Sequence, residues 1–157
     1  MAAPTVTAED TRAGNFSSVP GMDIERAREF LGRNHRAVLI TTRADGSPQG
    51  SPVVAGVDSE GRAVVSTRET AMKAAHVRRT PRAALCVMQD SFFGEWIQVE
   101  GPARLIPLPR ALDDLVALYR QVAGEHADWD DYRTAMERER RVLLAISIER
   151  AGPDRSG

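Results

Sequence analysis

The sequence predicts an α+β fold, mainly β, with six antiparallel strands bent into a barrel and helices at its periphery. Three observations carry that expectation. Three runs rich in Val, Ile and Thr follow one another with only turn-length gaps, which is the pattern of a meander. A helical stretch then crosses over to two further strands. The second of these is long and interrupted by Gly101-Pro102, the signature of a bulge or corner where a strand changes direction. Strands that bend in this way close on themselves and hide their edges.

Taken in order, residues 1–21 are rich in Ala, Thr, Ser, Gly and Pro and show no periodicity, which predicts a mobile lead. Asp23 is placed to cap a helix reaching about Asn34, with Ile24, Ala27, Phe30 and Leu31 on one apolar stripe. Arg36 to Arg43 reads as the first strand. Asp45-Gly46 is a hairpin turn, and the returning segment carries Pro48 and Pro52. Proline donates nothing to a ladder, so the first half of that strand belongs at an edge, a bulge or a ligand-facing gap. Asp58 to Gly61 turns the chain again into a third strand, Arg62 to Thr67. A helix over 69–79 follows and is stopped by Thr80-Pro81. Ala83 to Gln89 is an apolar strand expected to be buried on both faces or nearly so, and Glu95 to Ile106 is the long returning strand. Helices over about 109–124 and 130–141 precede a last strand, Arg141 to Ile148. Residues 22–150 thus form one domain, and 151–157 a frayed tail.

The totals exclude several classes. The chain has 157 residues and a net charge of -1, so bulk attraction to nucleic acid is not expected. No apolar run approaches the ~18 residues of a membrane span, and the first residues lack the apolar segment of a secretory signal. Cys86 is the only cysteine, so no internal disulfide forms, which fits a reducing cytoplasm. Within its strand Cys86 reads as a small buried hydrophobe.

One stretch departs from the average. Arg62 to Arg82 holds six cations and one acid, a net +5 against -1 for the whole chain. Lys73 is the only lysine, beside 20 arginines. Ser66 and Glu69 have capping-box spacing, which predicts a helix starting just after Ser66, with its amide groups and Lys73 offering an anion site. The competing interpretation is a solvated basic helix face.

Other chemistry is not announced. His35, His76 and His126 lie in three different elements, read as surface or capping residues, and match no metal-ligand spacing. No G-x-S-x-G, P-loop or G-x-G-x-x-G occurs. Asp113-Asp114 and Asp130-Asp131 diverge on their helices. Gln98 and Glu100 share one face of the long strand, pointing either into a ligand cleft or into solvent. A catalytic nucleophile or metal is therefore not expected, and a phosphate-bearing cofactor that brings its own chemistry is.

The motifs D-G-S-P-Q-G-S-P-V (Asp45 to Val53), S-T-R-E-T-A-M-K (Ser66 to Lys73), R-R-T-P-R (Arg78 to Arg82), W-I-Q-V-E-G (Trp96 to Gly101) and A-G-E-H-A-D-W-D-D-Y-R (Ala123 to Arg133) resemble a known family. It is that of the split β-barrel flavin- and deazaflavin-dependent oxidoreductases, which includes pyridoxamine 5′-phosphate oxidase. The last motif is similar to the actinobacterial branch that binds coenzyme F420. The resemblance implies an FMN-binding split barrel, a homodimer with cofactor sites at the subunit interface, and hydride transfer between reduced F420 and an unsaturated organic small molecule. It implies that Ser66, Thr67 and Lys73 contact the cofactor phosphate and that Gln49, Gly50, Ser51, Pro52 and Val53 line the ring system. Val65, Met72 and Arg78 flank that site, and Trp96 and Gln98 approach from the partner subunit. A non-catalytic carrier of F420, haem or a bilin is the alternative, with His76 the candidate axial ligand for haem. An FMN oxidase is a further one. The oxidases' second-strand Arg and Lys and pre-lysine Arg fall here on Ser51, Gly56 and Met72, and their C-terminal Trp and Arg have no counterpart, which argues against FMN with a pyridoxamine substrate. An arginine common two residues before the lysine in deazaflavin binders is Ala71 here.

Overall fold

The computed structural model describes residues 23–152, so the expected N-terminal lead and the last five residues of the tail lie outside it. The chain runs α1 (Ile24–Arg33), β1 (Arg36–Thr42), β2 (Pro48–Val57), β3 (Ala63–Arg68), α2 (Met72–Arg79), β4 (Arg82–Met88), β5 (Trp96–Ile106), α3 (Leu112–Ala123), α4 (Trp129–Arg138), β6 (Arg141–Ile146) and β7 (Arg150–Gly152). All strand pairings are antiparallel, in the order β4-β1-β2-β3-β6-β5, and a β4–β5 pairing closes these six strands into a barrel. β7 adds outside the ring by pairing with β5. Ala151 and Gly152, expected in the frayed tail, are therefore strand residues.

Local chemistry makes the turns. The Asp45 carboxylate accepts from the backbone N–H of Ser47 at 2.9 Å and from its hydroxyl at 2.6 Å. Gly46 takes the positive φ (86°) that closes the three-residue loop, where its N–H donates to the Arg43 carbonyl at 2.9 Å and the Arg43 N–H to the Ser47 carbonyl at 2.8 Å. The Asp58 carboxylate likewise accepts from the N–H groups of Glu60 and Arg62, and its second oxygen holds the Arg62 guanidinium at 2.7 Å. Both of those side chains are nearly buried, so this pair anchors the β2–β3 turn.

Two departures from regular pairing shape the barrel. β1 pairs with β2 from Pro48 to Val54, but β3 pairs with β2 only from Ala55 to Val57. The first half of β2 thus has a free edge, where Pro48 and Pro52 leave no ladder bond unmade. β3 pairs with β6 along its whole length, but its last residues, Ser66 to Arg68, have no β2 partner on the other edge. The barrel is split between these two segments. The second departure is in β5, which pairs with β4 up to Pro102 and with β6 from Ala103 onward. A Cβ on Gly101 would stand 1.8 Å from the Ser147 carbonyl oxygen, so glycine is what lets the strand turn this corner.

The interior is filled by Leu39, Leu85, Ile97, Val99, Val65, Leu144 and Ile146, plugged by Ala27, Phe30 and Leu31 of α1. A second apolar cluster lies outside the ring, where Leu115, Val116, Tyr132 and Met136 of α3 and α4 pack on Val64, Leu143 and Ala145. This layer makes β6 the strand buried on both faces. β4, expected to be buried on both faces or nearly so, alternates buried and half-buried, and among the described residues no helix covers its outer side. Cys86 lies on that side and is half-buried, though burial still pushes its thiol pKa up.

The expected capped helix after Ser66 is not formed. Ser66, Thr67 and Arg68 continue β3, opposite Leu143, Val142 and Arg141. The Glu69 carboxylate meets Arg140 at 2.9 Å, and α2 begins at Met72 behind Ala71, which makes no side-chain cap. Strand pairing of a β-branched segment wins over the capping signal here. His76 also departs from expectation. It is 2% exposed, on the buried side of α2, and its Nδ1 shares a hydrogen bond with the Thr41 hydroxyl at 2.9 Å.

Candidate functional site

The split in the barrel opens into a cleft of about 620 Å³. Pro52, Val53 and Val54 form its β2 side, and Ser66, Thr67 and Arg68 its β3 side. Ala71 and Lys73 enter from the start of α2, and Arg141 from the start of β6. The remaining wall is Leu118, Tyr119, Val122 and Ala123 of α3 with Tyr132 and Met136 of α4. The cleft therefore joins a cationic, hydroxyl-bearing end to an apolar and aromatic one.

The polar end is open for a ligand. Ser66, Thr67 and Lys73 take no hydrogen bond or ion pair through their side chains among the described residues, and no buried side-chain nitrogen or oxygen lacks a partner. Their polar atoms therefore reach accessible space. Arg141 is tethered: its Nε lies 2.8 Å from a Glu139 carboxylate oxygen. That bond, with the charge of Arg141, holds the Glu139 pKa below its ordinary value. Arg68 is exposed and forms no salt bridge among the described residues.

At the other end, Tyr132 donates its hydroxyl to the Leu115 carbonyl at 3.0 Å, and burial raises its pKa, so it stays a neutral phenol. Among the described residues the Tyr119 hydroxyl has no hydrogen-bond partner.

The cleft brings together Pro52, Val53, Ser66, Thr67 and Lys73 of the expected residues. The others fall elsewhere. Gln49 and Ser51 lie opposite the buried Thr41 and Leu39 in the β1–β2 register and so share the inner face of the barrel. Gly50 is on the outer face, where a Cβ would sit 3.2 Å from Val38 Cγ1. Val65 is buried in the core, and Met72 is exposed at the first position of α2. Arg78 lines a second groove with Arg104 and Pro107, and donates to the Glu69 carbonyl at 3.1 Å. Trp96 and Gln98 are half-buried on the outer face of β5, opposite Met88 and Cys86.

Residues that sequence reasoning missed include Arg141, Tyr119 and Tyr132. Tyr132 stands inside the A-G-E-H-A-D-W-D-D-Y-R motif, which was a usable signal. Arg141 and Tyr119 reach the site only because α3 and β6 pack beside β3, which nothing local announces.

Among the described residues no cluster of His, Cys, Asp or Glu is arranged to hold a metal, and no helix is long and apolar enough to cross a membrane. The chain is 28% identical to an F420H(2)-dependent biliverdin reductase of Mycobacterium tuberculosis over 124 residues, covering 79% of this chain and 82% of that protein. A solved F420 reductase superposes with a TM-score of 0.62 at 19% identity, over 80% of this chain and 94% of that one. A heme-binding protein of Mycobacterium smegmatis superposes with a TM-score of 0.63 at 18% identity, over 84% of this chain and 55% of that one. Likenesses so low in identity speak for the barrel alone. The pyridoxamine 5′-phosphate oxidase family model, however, matches residues 24–153, nearly all of the barrel, and the chain belongs to that family.

Proposed function

We propose that the protein is an F420-dependent oxidoreductase transferring a hydride between the reduced deazaflavin and an unsaturated organic small molecule. The observation that carries this is the convergence of Ser66, Thr67 and Lys73, whose side chains have no partners among the described residues, beside an apolar wall. Two hydroxyls and a compact ammonium suit a phosphate, to which they donate charge-assisted hydrogen bonds. Arg68 and Arg141 add positive charge at the same end. Bound there, reduced F420 would supply the hydride itself. The chain's part is to hold and orient: Pro52 and Val53 flank the ring, and the α3–α4 wall keeps water out. The lining residues include no carboxylate and no histidine, so a proton for the substrate comes from solvent or from a cleft hydroxyl. The biliverdin reductase relative makes a linear tetrapyrrole the first substrate to offer.

FMN is the weaker candidate. Of the two second-strand positions where the oxidases carry a cation, one is Ser51 and the other Gly56, which lies under Leu118 and Gln121 with no room for a side chain. The cleft without an evident acid or base also supports a second interpretation, a carrier that binds F420 and turns nothing over.

A homodimer belongs to this proposal. The outer faces of β1, β4 and β5 present Val38, Ile40, Ala84, Cys86, Met88 and Trp96, which no helix among the described residues covers. Val54, Arg36, Met88 and Trp96 form one row across that face. A two-fold axis running along the strands between β1 and β4 would lay Trp96 and Gln98 of one copy beside Val54 at the other's cleft. With its lone cysteine and cofactor of this kind, we assign the protein to the cytoplasm.

Fluorescence titration with oxidised F420 beside FMN tests the cofactor. F420 binding about tenfold or more tighter supports the proposal, a difference of ~1.4 kcal/mol. Preference for FMN overturns it. Turnover of a substrate by the F420-loaded protein separates enzyme from carrier.

A further inference from the structure

The motif Ala123 to Arg133 builds a clasp between α3 and α4 that the cofactor site does not account for. Gly124 ends α3 at a positive φ of 81°. Glu125 then accepts from Arg120 Nε at 2.9 Å and from Trp129 Nε1 at 3.0 Å, while the Arg120 guanidinium lies 4.6 Å over the Trp129 ring. The Asp128 carboxylate caps α4 by accepting from the N–H groups of Asp130 and Asp131. Inside this frame four rings meet. The centroid of His126 is 5.1 Å from Tyr119, 5.7 Å from Trp129 and 5.6 Å from Tyr132, and Tyr119 is itself edge-on to the other two. Tyr119 and Tyr132 are the aromatic part of the cleft wall.

The hydrogen bonding of His126 fixes its chemical form. The backbone N–H of Asp128 donates to His126 Nδ1 at 2.9 Å. A backbone N–H has nothing to accept with, so Nδ1 carries a lone pair and the ring is the neutral tautomer protonated on Nε2. A proton on Nδ1 would set two donors against each other at the first turn of α4.

We propose that His126 is a positioning residue of the cleft: neutral, it ties α3 to the start of α4 and holds Tyr119 and Tyr132 in place as the aromatic wall, and protonated, it releases them. This rests on the assignment of the cleft as the ligand site. The charged groups around His126 are Arg120 on α3, Glu125 and Asp128 in the connection, and Asp130 and Asp131 on α4. The acids favour a proton on the ring. Glu125 is occupied by Arg120 and Trp129, however, and Asp128 by the helix cap, and the dipole at the N-terminus of α4 opposes a cation there.

The test has a ligand-free arm and a ligand arm. In a Trp96→Phe background Trp129 is the remaining tryptophan, so emission between pH 8 and pH 5 reports on the clasp. A quenching step is expected, because an imidazolium beside an indole withdraws its excited-state electron. His126→Asn keeps an acceptor near the position of Nδ1 but does not titrate, and should abolish the step. For the ligand arm, oxidised F420 affinity is measured by calorimetry for wild type and His126→Asn, and the ratio cancels the ligand's own titration. The ratio should be near one at pH 8 and should shift threefold or more in favour of His126→Asn at pH 5.5. No fluorescence step, or the same step in His126→Asn, overturns the proposal whatever binds. A constant ratio overturns it too. If neither protein binds F420, the cofactor assignment falls, and the fluorescence step alone decides the role of His126.

Discussion

The side-chain amide of Gln121 on α3 pairs with Val57 of β2 as a neighbouring strand would. Its Nε2 donates to the Val57 carbonyl at 3.0 Å, and its Oε1 accepts from the Val57 N–H at 2.8 Å. One residue earlier, a Cβ on Gly56 would stand 2.4 Å from that same Oε1 and 2.7 Å from Leu118 Cδ1. The helix that walls the cleft is thus docked through an amide that only a glycine beneath it admits. Gly56→Ala should cost about 1–3 kcal/mol by overpacking. Gln121→Ala, which strips both Val57 groups of their partner, should cost a similar ~1–3 kcal/mol. The two residues share one contact, so the double variant should be more stable than the sum of the single losses implies. Urea denaturation of the four proteins checks this, and strict additivity would mean that the helix is held elsewhere.

The barrel corner gives a sharper prediction. Backbone sits where a side chain at residue 101 would go, at 1.8 Å, and backbone does not swing aside as a side-chain tip can. Gly101→Ala should therefore separate the Ser147 segment from β5 and lower stability by about 3 kcal/mol or more, at the high end for a single substitution. Gly46, with open space around its Cβ position, is the control. Its substitution by Asn, which tolerates positive φ, should change stability by only about 0.5 kcal/mol.

These positions show what was legible in the sequence. The meander, the turns at Asp45-Gly46 and Asp58 to Gly61, and the corner at Gly101-Pro102 all follow from local chemistry, and the barrel order follows from them. Pro48 and Pro52 marked the free edge of β2 for the same local reason. The start of α2 was misplaced because Ser66 to Glu69 satisfies a capping pattern locally, while the pairing that overrides it comes from Leu143 and Val142, far along the chain. His76 looked like a surface residue in a basic stretch. Its burial against Thr41 depends on which side of α2 faces the barrel end. The cleft's hydroxyls and lysine were readable, but its α3–α4 wall was not, since helices docked outside a barrel leave no mark on the strands they cover beyond apolar residues on both faces of β6.

Lys73, the cleft's cation on α2, has no salt bridge among the described residues, so its loss orphans no acid there. Lys73→Ala should leave the thermal midpoint within about 1–2 °C of wild type, as for a surface substitution, yet weaken oxidised F420 binding about tenfold or more. Calorimetric titration measures the affinity and thermal melting the fold. Unchanged affinity would remove Lys73 from the phosphate end and leave Arg68 and Arg141 as its cations.

The buried pair Thr41 and His76 should matter for stability rather than binding. Thr41→Val keeps the shape but leaves His76 Nδ1 without a partner in an enclosed site. A loss of about 1–3 kcal/mol is expected in urea denaturation at pH 7–8, with F420 affinity unaltered. Reconstitution of wild type with haemin also bears on this pair. A Soret band that disappears in His76→Ala would mean that α2 leaves its place and frees the imidazole.

Glu139 and Arg141 link the cleft to pH. The Arg141 hydrogen bond lowers the Glu139 pKa in the folded protein, so the carboxylate form is favoured by folding. That contribution is fully present above the unfolded carboxylate pKa and is lost as pH falls through the lower folded value, a window below about pH 4.5. Glu139→Gln removes the contribution, so between pH 3 and pH 5 its stability should vary less with pH than that of wild type. The same substitution unties Arg141 from its carboxylate at the cleft. At neutral pH, where the variant loses only the small contribution of an exposed ion pair, a guanidinium freed from its acid should bind an anionic ligand more tightly. Oxidised F420 affinity for Glu139→Gln should accordingly rise about two- to threefold, the scale of an exposed ion pair. A fall would mean that Glu139 serves the site by holding Arg141 in the binding geometry, and the tether would then be part of the phosphate end.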